Sequence, residues 1–207
     1  ALEIKWDDGP HGSFNTADYR KELSASANAP GKSVRSQGDT EGALKSAARV
    51  LSYEYYQPHL AHSPMEPPAA VASVTNGKAE VWAPVQSPYG TRVDVAAYLG
   101  MDEKDVTINV TVLGGGVGRT AKCDVGIEAA YLAKQAGAPV KVQWTREDDI
   151  QHSFYHTSSV EKIDVGLDEN DKVVAWRHRS AAPPFLSTFL PDEGFEHALE
   201  VGTGHRI

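Results

Sequence analysis

The glycine cluster at residues 114–118 is the part of the sequence whose residue types point most directly to chemistry. Only a residue without a Cβ atom readily accepts a positive φ and lets backbone N–H groups approach a ligand closely. Loops of this kind bind anionic groups where they stand between a strand and the start of a helix. The cluster is therefore the first candidate binding site in the chain.

The segments on either side of this loop have the patterns of a strand, a helix and a second strand. Apolar residues alternate over residues 106–112, which predicts a strand, and residues 123–135 have the pattern of an amphipathic helix that ends at Gly137. Residues 140–144 predict the returning strand. Together they predict a right-handed parallel unit with the glycine loop at the carboxyl end of its first strand.

Periodicity, capping residues and turn residues predict the other elements. They are strands at 2–6, 32–36 and 50–56, helices at 16–29, 41–48 and 88–99, a hairpin of 70–75 with 78–83 around Asn76-Gly77, and a hairpin of 160–167 with 172–180. The predicted fold class is α+β: a mixed β-sheet with helices packed on one face, containing the β, glycine loop, α, β unit. We expect one domain over residues 1–207, cut from a longer chain, with an ordered core at 1–182 and an irregular tail at 183–207.

Composition and charge narrow the classes of partner. The net charge is −8 and no basic stripe offsets it, so we expect no nucleic-acid partner. No apolar run approaches the roughly 20 residues of a membrane span. A single cysteine, Cys123, excludes an intrachain disulfide and a zinc or iron–sulfur site built from cysteines. Small cysteines on helices are more often buried than reactive, so we predict that Cys123 is buried.

Two histidines and a carboxylate, His59, His62 and Glu66, resemble a metal-ligand set. They lie on a proline-rich segment whose extended backbone does not bring three side chains onto one face, and the spacing matches no helical ligand pair. We therefore predict no direct metal ligand among them.

The glycine loop alone leaves alternatives open. Gly116, Gly118 and Ala121 fit the G-x-G-x-x-A pattern of dinucleotide-binding folds, although the acidic residue expected after the second strand, Glu147, comes later than usual. A glycine turn that only packs a helix closely onto a sheet is equally compatible with the loop by itself.

Five ordered motifs decide between these alternatives by resemblance. They are AHSPMEP from Ala61, EVWAPVQ from Glu80, GGGVGR from Gly114, PVKVQWTREDD from Pro139 and VAWRH from Val174. Together they resemble the molybdenum-binding subunit of the xanthine dehydrogenase and aldehyde oxidase family, and among its branches they are most similar to isoquinoline 1-oxidoreductase β subunits. The resemblance implies that this chain is the first cofactor-binding domain of such a subunit.

The resemblance also implies roles for particular residues. Gln86 matches a glutamine that hydrogen-bonds an oxo ligand of the molybdenum, a task suited to a neutral amide because it donates without adding charge. Gly115, Gly116, Val117 and Gly118 match the loop whose backbone lies against the pterin, and Arg119 follows the isoquinoline-type pattern. Val117 departs from the family, which usually has phenylalanine there, so aromatic cover of the site is reduced or supplied elsewhere.

The same resemblance implies a cofactor and partners. The cofactor is molybdopterin with molybdenum, in the cytosine dinucleotide form, and the electrons pass to a [2Fe–2S] small subunit. The remaining domains of the large subunit supply a glutamate base and most cofactor contacts. The substrate is an N-heterocycle of the isoquinoline type or an aldehyde, which receives an oxygen derived from water. The compartment, bacterial cytoplasm or periplasm, stays open. Alternatives from other classes are a dinucleotide-binding oxidoreductase domain and a domain that serves only assembly.

The predicted topology adds a geometric expectation. Gln86 and Gly115 each follow the carboxyl end of a predicted strand, and ligand sites of α/β folds form where such ends share an edge. If both strands run parallel in one sheet, the Gln86 side chain and the Val117 backbone lie within about 12 Å, the span of one metal-ligand sphere with its hydrogen-bond shell.

We predict that the isolated chain of 207 residues folds but retains no molybdenum. One glutamine and one backbone loop do not offset the entropy lost on ordering a large cofactor. Metal analysis of the purified chain beside its circular dichroism spectrum checks this, and stoichiometric molybdenum would contradict it.

Overall fold

The computed structural model describes residue 5, residue 7 and residues 9–183. Most of the strand predicted at 2–6, and all of the predicted tail after residue 183, lie outside the described residues. In chain order the helices and strands are α1 (Thr16–Asn28), α2 (Thr40–Ser46), β1 (Arg49–Gln57), β2 (Ala69–Thr75), β3 (Lys78–Ala83), α3 (Pro88–Leu99), β4 (Val106–Val110), α4 (Asp124–Ala136), β5 (Val140–Gln143), α5 (Arg146–His152), β6 (Ser159–Leu167) and β7 (Val173–Ala181).

The described chain forms two compact units with a sheet in each. The first comprises residues up to His59 and from Thr157 onward, and the second comprises Leu60–His156. The first holds a three-stranded sheet in the order β1-β6-β7, and the second a four-stranded sheet in the order β4-β3-β2-β5. The predicted α+β class with a mixed sheet is confirmed, but the prediction of one sheet is wrong. β1 pairs with β6, about a hundred residues later in the chain, and alternation within a strand carries no information on such a partner.

The sheet of the second unit is mixed. The predicted hairpin is confirmed: β2 pairs antiparallel with β3, and Asn76 and Gly77 both have positive φ, as a type I′ turn requires. β3 pairs parallel with β4, and β5 pairs antiparallel with β2. β4 and β5 therefore run in the same direction, as predicted for the strands on either side of the glycine loop and α4, but β3 and β2 lie between them.

Small residues let α4 pack closely on this sheet. Ala129, Ala130 and Ala133 are fully buried, and a Cβ atom added at Gly126 would lie 3.5 Å from Cγ1 of Val81 on β3. α4 ends at Gly137 with φ +62, which is the predicted glycine stop. The helix can thus approach β2, β3 and β5 closely.

α3 lies beside α4 over the same core. Its bounds match the predicted helix, but its buried residues are Thr91, Val95, Ala96 and Leu99. Ala97, next to buried Ala96, is exposed. The helix is weakly amphipathic, so tertiary packing decides which of its faces is buried.

In the first unit, α1 and α2 pack on the sheet of β1, β6 and β7. Asn15 caps α1 through its side chain, which accepts hydrogen bonds from the N–H groups of Ala17 and Asp18. Inside this unit Asp164 is buried and paired with Arg177 at 2.9 Å. The strand predicted at 32–36 is wrong: these residues form an irregular connection, since a short polar run has no apolar face to bury.

α5 is an element that the sequence prediction missed, because its residues are polar and show little hydrophobic periodicity. Its signal was a capping box: Thr145 accepts from the N–H of Asp148, and Asp148 accepts from the N–H of Thr145.

Among the described residues no helix has the length and apolar character to cross a bilayer.

Cys123 precedes α4 and is buried, as predicted, with 5% of its surface exposed. Burial raises the pKa of its thiol to about 11, so the thiolate is scarce at neutral pH.

We expect a thiol reagent at pH 8 to label Cys123 in the folded chain at least about a hundredfold more slowly than in the urea-unfolded chain, because both the access of the reagent and the thiolate fraction are reduced. Equal labelling rates in the two states would contradict this burial.

Candidate functional site

Parallel pairing of β3 with β4 places two connecting segments at one edge of the sheet. Ala83, the last residue of β3, lies opposite Val110, the last residue of β4. Gln86 follows the first strand and the glycine loop follows the second. Both segments therefore leave the sheet on the same side, which is the arrangement that the sequence predicted.

Gln86 holds the glycine loop through both its side chain and its backbone. Its Oε1 accepts a hydrogen bond from the N–H of Gly118 at 2.9 Å and another from the hydroxyl of Thr120 at 3.0 Å. Its own N–H donates to the carbonyl of Thr120 at 3.0 Å. These contacts confirm that Gln86 and the loop lie side by side. Among the described residues no acceptor contacts Nε2 of Gln86, so this exposed amide keeps two free N–H donors.

The loop itself adopts a left-handed backbone over four consecutive residues. The φ angles are +116° at Gly115, +66° at Gly116, +54° at Val117 and +92° at Gly118. At Gly116 a Cβ atom would lie 2.9 Å from Oε1 of Gln86, so glycine is needed for the contact as well as for the angle. Val117 is a β-branched residue in a conformation that such residues rarely adopt, and 62% of it is exposed.

Some backbone N–H groups of the loop donate within the loop, and others have no acceptor in the described part of the chain. The N–H of Val117 donates to the carbonyl of Gly115 at 2.7 Å, and that of Arg119 donates to Gly116 at 2.9 Å. Within the described part of the chain, no acceptor lies within hydrogen-bond distance of the N–H groups of Gly115 and Gly116. Gly115 is exposed, whereas Gly116 is buried. Donation by the loop backbone to a cofactor stays a prediction.

Glu66 holds the other end of the loop. Its Oε2 accepts from the N–H of Gly114 at 2.9 Å, and its own N–H donates to the carbonyl of Gly114 at 3.0 Å. A Cβ atom on Gly114 would lie 2.3 Å from Cβ of Glu66, which excludes any side chain there. The sequence singled out Glu66 only as a weak metal candidate and missed this role. Among the described residues, no three His, Cys, Asp or Glu side chains are grouped to hold a metal ion.

His62 packs against the last glycine of the loop. A Cβ atom on Gly118 would lie 3.5 Å from Nε2 of His62. Burial lowers the pKa of this imidazole, and the nearby His156 and Arg119 act in the same direction, although the Phe154 carbonyl and Asp149 oppose them. His62 is therefore neutral at pH 7 and adds no formal charge beside the loop.

Arg119, which the resemblance places beside the cofactor-binding loop, has its side chain in the protein interior. The residue is 2% exposed, and its guanidinium forms a bidentate pair with Asp124, with N···O distances of 3.0 and 2.9 Å. The rings of Trp144 and Phe154 each have their centroid 5.4 Å from this group. Nη1 also donates to the carbonyl of Lys122 at 3.3 Å, so the guanidinium ties the residue after the loop to the start of α4.

The dinucleotide alternative does not fit this geometry. In that motif the helix begins at the glycines and its first N–H groups bind the pyrophosphate. Here α4 begins at Asp124, six residues after Gly118, and the carboxylate of Asp124 occupies the start of the helix. β4 and β5 are also separated by two strands. The unpaired donors here are neutral: Nε2 of Gln86 and the N–H of Gly115 belong to exposed residues, and the N–H of Gly116 belongs to a buried one. Such donors suit an oxygen-rich, anionic ligand group.

Relief of the strained backbone at Val117 is testable. The substitutions Val117→Gly and Val112→Gly add the same freedom to the unfolded chain, but only the first residue has a positive φ. We expect Val117→Gly to leave the chain more stable than Val112→Gly by about 1–2 kcal/mol in urea unfolding. Equal free energies of unfolding would mean that Val117 carries no strain.

Comparison with known proteins identifies a family for this chain. The family profile described as the molybdopterin cofactor-binding domain matches residues 25–183, which include parts of both compact units. That residues 1–207 form one cofactor-binding domain stays a prediction.

Two curated relatives illustrate the similarity in sequence. The chain is 32% identical over 152 residues to a nicotinate dehydrogenase subunit of Pseudomonas putida, covering 73% of this chain and 13% of that protein. It is 30% identical over 145 residues to the β subunit of isoquinoline 1-oxidoreductase from Brevundimonas diminuta, covering 69% and 19%. The chain thus spans less than a fifth of the length of either relative.

The fold is also found in a solved structure. Quinoline 2-oxidoreductase from Pseudomonas putida 86 superposes with a TM-score of 0.60 at 22% identity, covering 69% of this chain and 18% of that chain. This likeness concerns the fold alone. Together with the profile match, which covers more than half of the residues, and with the relatives at 30% identity or above, it shows that the chain belongs to the molybdopterin cofactor-binding domain family, within the molybdenum-binding subunits of the xanthine dehydrogenase type.

Proposed function

We propose that this chain is the part of a molybdenum hydroxylase large subunit that presents the glycine loop and Gln86 to the molybdopterin cofactor. The parent enzyme inserts a water-derived oxygen into its substrate. When bound, the cofactor supplies the two-electron oxidation and the oxygen transfer. The residues of this chain bind and orient it.

The observation that carries this proposal is the orientation of the Gln86 amide. Oε1 is held by Gly118 and Thr120, so Nε2 faces away from them with both hydrogens available. A side chain fixed in this way would donate to an oxygen ligand of the metal centre without adding a negative charge. The N–H groups of Gly115 and Gly116 would donate beside it to anionic atoms of the cofactor.

The residues present fit an anionic, oxygen-rich group. The carboxylate nearest to the loop, that of Glu66, accepts the N–H of Gly114. The carboxylate of Asp124 is paired with the buried Arg119. The Glu66 carboxylate is thus used to hold the loop, and the charge of Asp124 is compensated by Arg119. Val117 is exposed and small, which leaves more room over the site than a phenylalanine would.

The substrate class and the electron acceptor belong to the same proposal. The names of the two relatives refer to nicotinate and isoquinoline, both aromatic rings that contain nitrogen. We propose an N-heterocycle as the substrate, with an aldehyde as the alternative, and a [2Fe–2S] subunit as the electron acceptor. The cytosine dinucleotide form of the pterin is proposed from the isoquinoline-type sequence pattern, and release of cytidine monophosphate on acid hydrolysis of the parent protein tests it.

The decisive substitution is Gln86→Glu in the parent protein. Glutamate keeps an oxygen to accept from Gly118 and Thr120, so the loop stays held, but it loses the amide donor and gains a charge. We expect turnover to fall about tenfold to a hundredfold, as for other residues that contact metal ligands. The free energy of unfolding should change by less than about 0.5 kcal/mol, as for exposed positions.

Gln135→Glu is the matched control, because Gln135 is exposed near the end of α4 and undergoes the same change of charge. We expect its turnover to equal that of the parent. Metal and pterin analysis of the unsubstituted parent accompanies the kinetics. If the parent contains no molybdenum, or if the two variants lose activity equally, the proposed function is wrong.

A further inference from the structure

A buried carboxylate behind the glycine loop connects the two loops of the candidate site. Asp149 on α5 is completely buried. Its Oδ2 accepts a hydrogen bond from Nη1 of Arg146 at 2.5 Å, and its Oδ1 lies 3.8 Å from Nε of Arg119. Asp149 therefore stands between two arginines that serve different parts of the site.

Each of these arginines holds a different loop. Arg119 follows Gly118 directly, and the ion pair of its guanidinium with Asp124 fixes the end of the glycine loop. Arg146 donates from Nη2 to the carbonyls of Pro64 and, at 3.1 Å, of Met65. These carbonyls belong to the segment at residues 62–66, which contains Glu66 and His62.

The two loops also contact each other at the site. A Cβ atom on Gly115 would lie 3.6 Å from the N atom of Met65 and 3.6 Å from Cβ of Pro64. A shift of either loop would therefore displace the N–H groups of Gly115 and Gly116. Because packed backbones respond to such shifts as a unit, the group that fixes both loops from behind also fixes the direction of the free donors.

We propose that Asp149 is a positioning residue that sets the register between the glycine loop and the 62–66 segment, and so holds the site in a binding-competent form. This inference rests on the proposed function for its consequence on cofactor binding. Asp149 does not contact the cofactor side of the loop, because it has no exposed surface. It acts through Arg119 and Arg146.

The experiment uses Asp149→Asn in the full parent protein. Asparagine has nearly the same shape, but it removes the negative charge and, if its oxygen faces Arg146, turns an N–H donor toward Arg119. Hydrogen exchange is measured on peptides that contain residues 62–66 and 114–119. We expect exchange in both peptides to rise together, by about tenfold or more, because removal of one partner of a buried pair opens the groups that it held. Molybdenum per chain should fall in parallel.

Asp164→Asn is the matched control, since Asp164 is also a buried carboxylate paired with an arginine, Arg177, but in the other compact unit. This variant should lower the melting temperature without faster exchange in the two site peptides. If Asp149→Asn changes these peptides no more than Asp164→Asn does, the inference is overturned and Asp149 has only a general structural role.

A milder variant keeps the test decisive if Asp149→Asn fails to fold. Arg146→Met removes a side chain that is one-third exposed, with 33% relative accessibility. We expect faster exchange at 62–66 and reduced molybdenum, and unchanged exchange at 62–66 would overturn the inference. Absence of molybdenum from the unsubstituted parent would instead refute the proposed function, and the exchange data would still decide the role of Asp149.

Discussion

Parallel pairing between β3 and β4 is the contact on which the rest of the candidate site depends. It sets Ala83 opposite Val110, so the segments that follow both strands start side by side. Gln86 and Gly118 are 32 residues apart in sequence, yet they are joined by a hydrogen bond. Close packing of α4 on β3, through its alanines and Gly126, and of α3 on β4 keeps these two strands covered and fixed. Because both segments of the site begin at strand ends, the sheet limits their movement relative to each other.

The site separates formal charge from the donors that face outward. Arg119, Arg146 and Asp149 are linked behind the loops, and Asp124 completes the pair with Arg119. The donors without a partner in the described chain are the Gln86 amide and the backbone N–H groups of exposed Gly115 and buried Gly116, and the neighbouring His62 is held neutral by its lowered pKa. Charge behind the loops fixes their positions through strong, directional pairs, whereas neutral donors in front orient a ligand without a fixed countercharge.

Local signals in the sequence were sufficient for most elements. The caps at Asn15 and Asp39, the Asn76-Gly77 turn and the glycine stop at Gly137 each act within a few residues, and the turn and the stop were predicted correctly. The adjacency of Gln86 and the glycine loop was also predictable, because it needed only one assumption of parallel pairing.

The predictions that failed depend on residues that are distant in sequence. The division into two sheets rests on the pairing of β1 with β6, and no local pattern encodes it. The direction of individual side chains was the other gap: the sequence does not show that Arg119, beside the glycines, points inward and pairs with Asp124. A charged residue in a sequence is expected at the surface, so burial of a compensated pair is visible only when the partners are known.

Preorganisation explains how a site with few formal charges could hold a charged ligand. Glu66 holds one end of the loop, Gln86 holds the other, and Arg119 braces it from within, all through contacts that exist before any ligand binds. The donors of Gly115 and Gly116 then lose little conformational entropy on binding, because their backbone is already fixed in an unusual conformation. In a flexible loop the same two N–H groups would have to be ordered at the cost of most of the free energy that they supply. The glycines therefore provide the angles, and the polar side chains around them provide the rigidity that makes those angles useful.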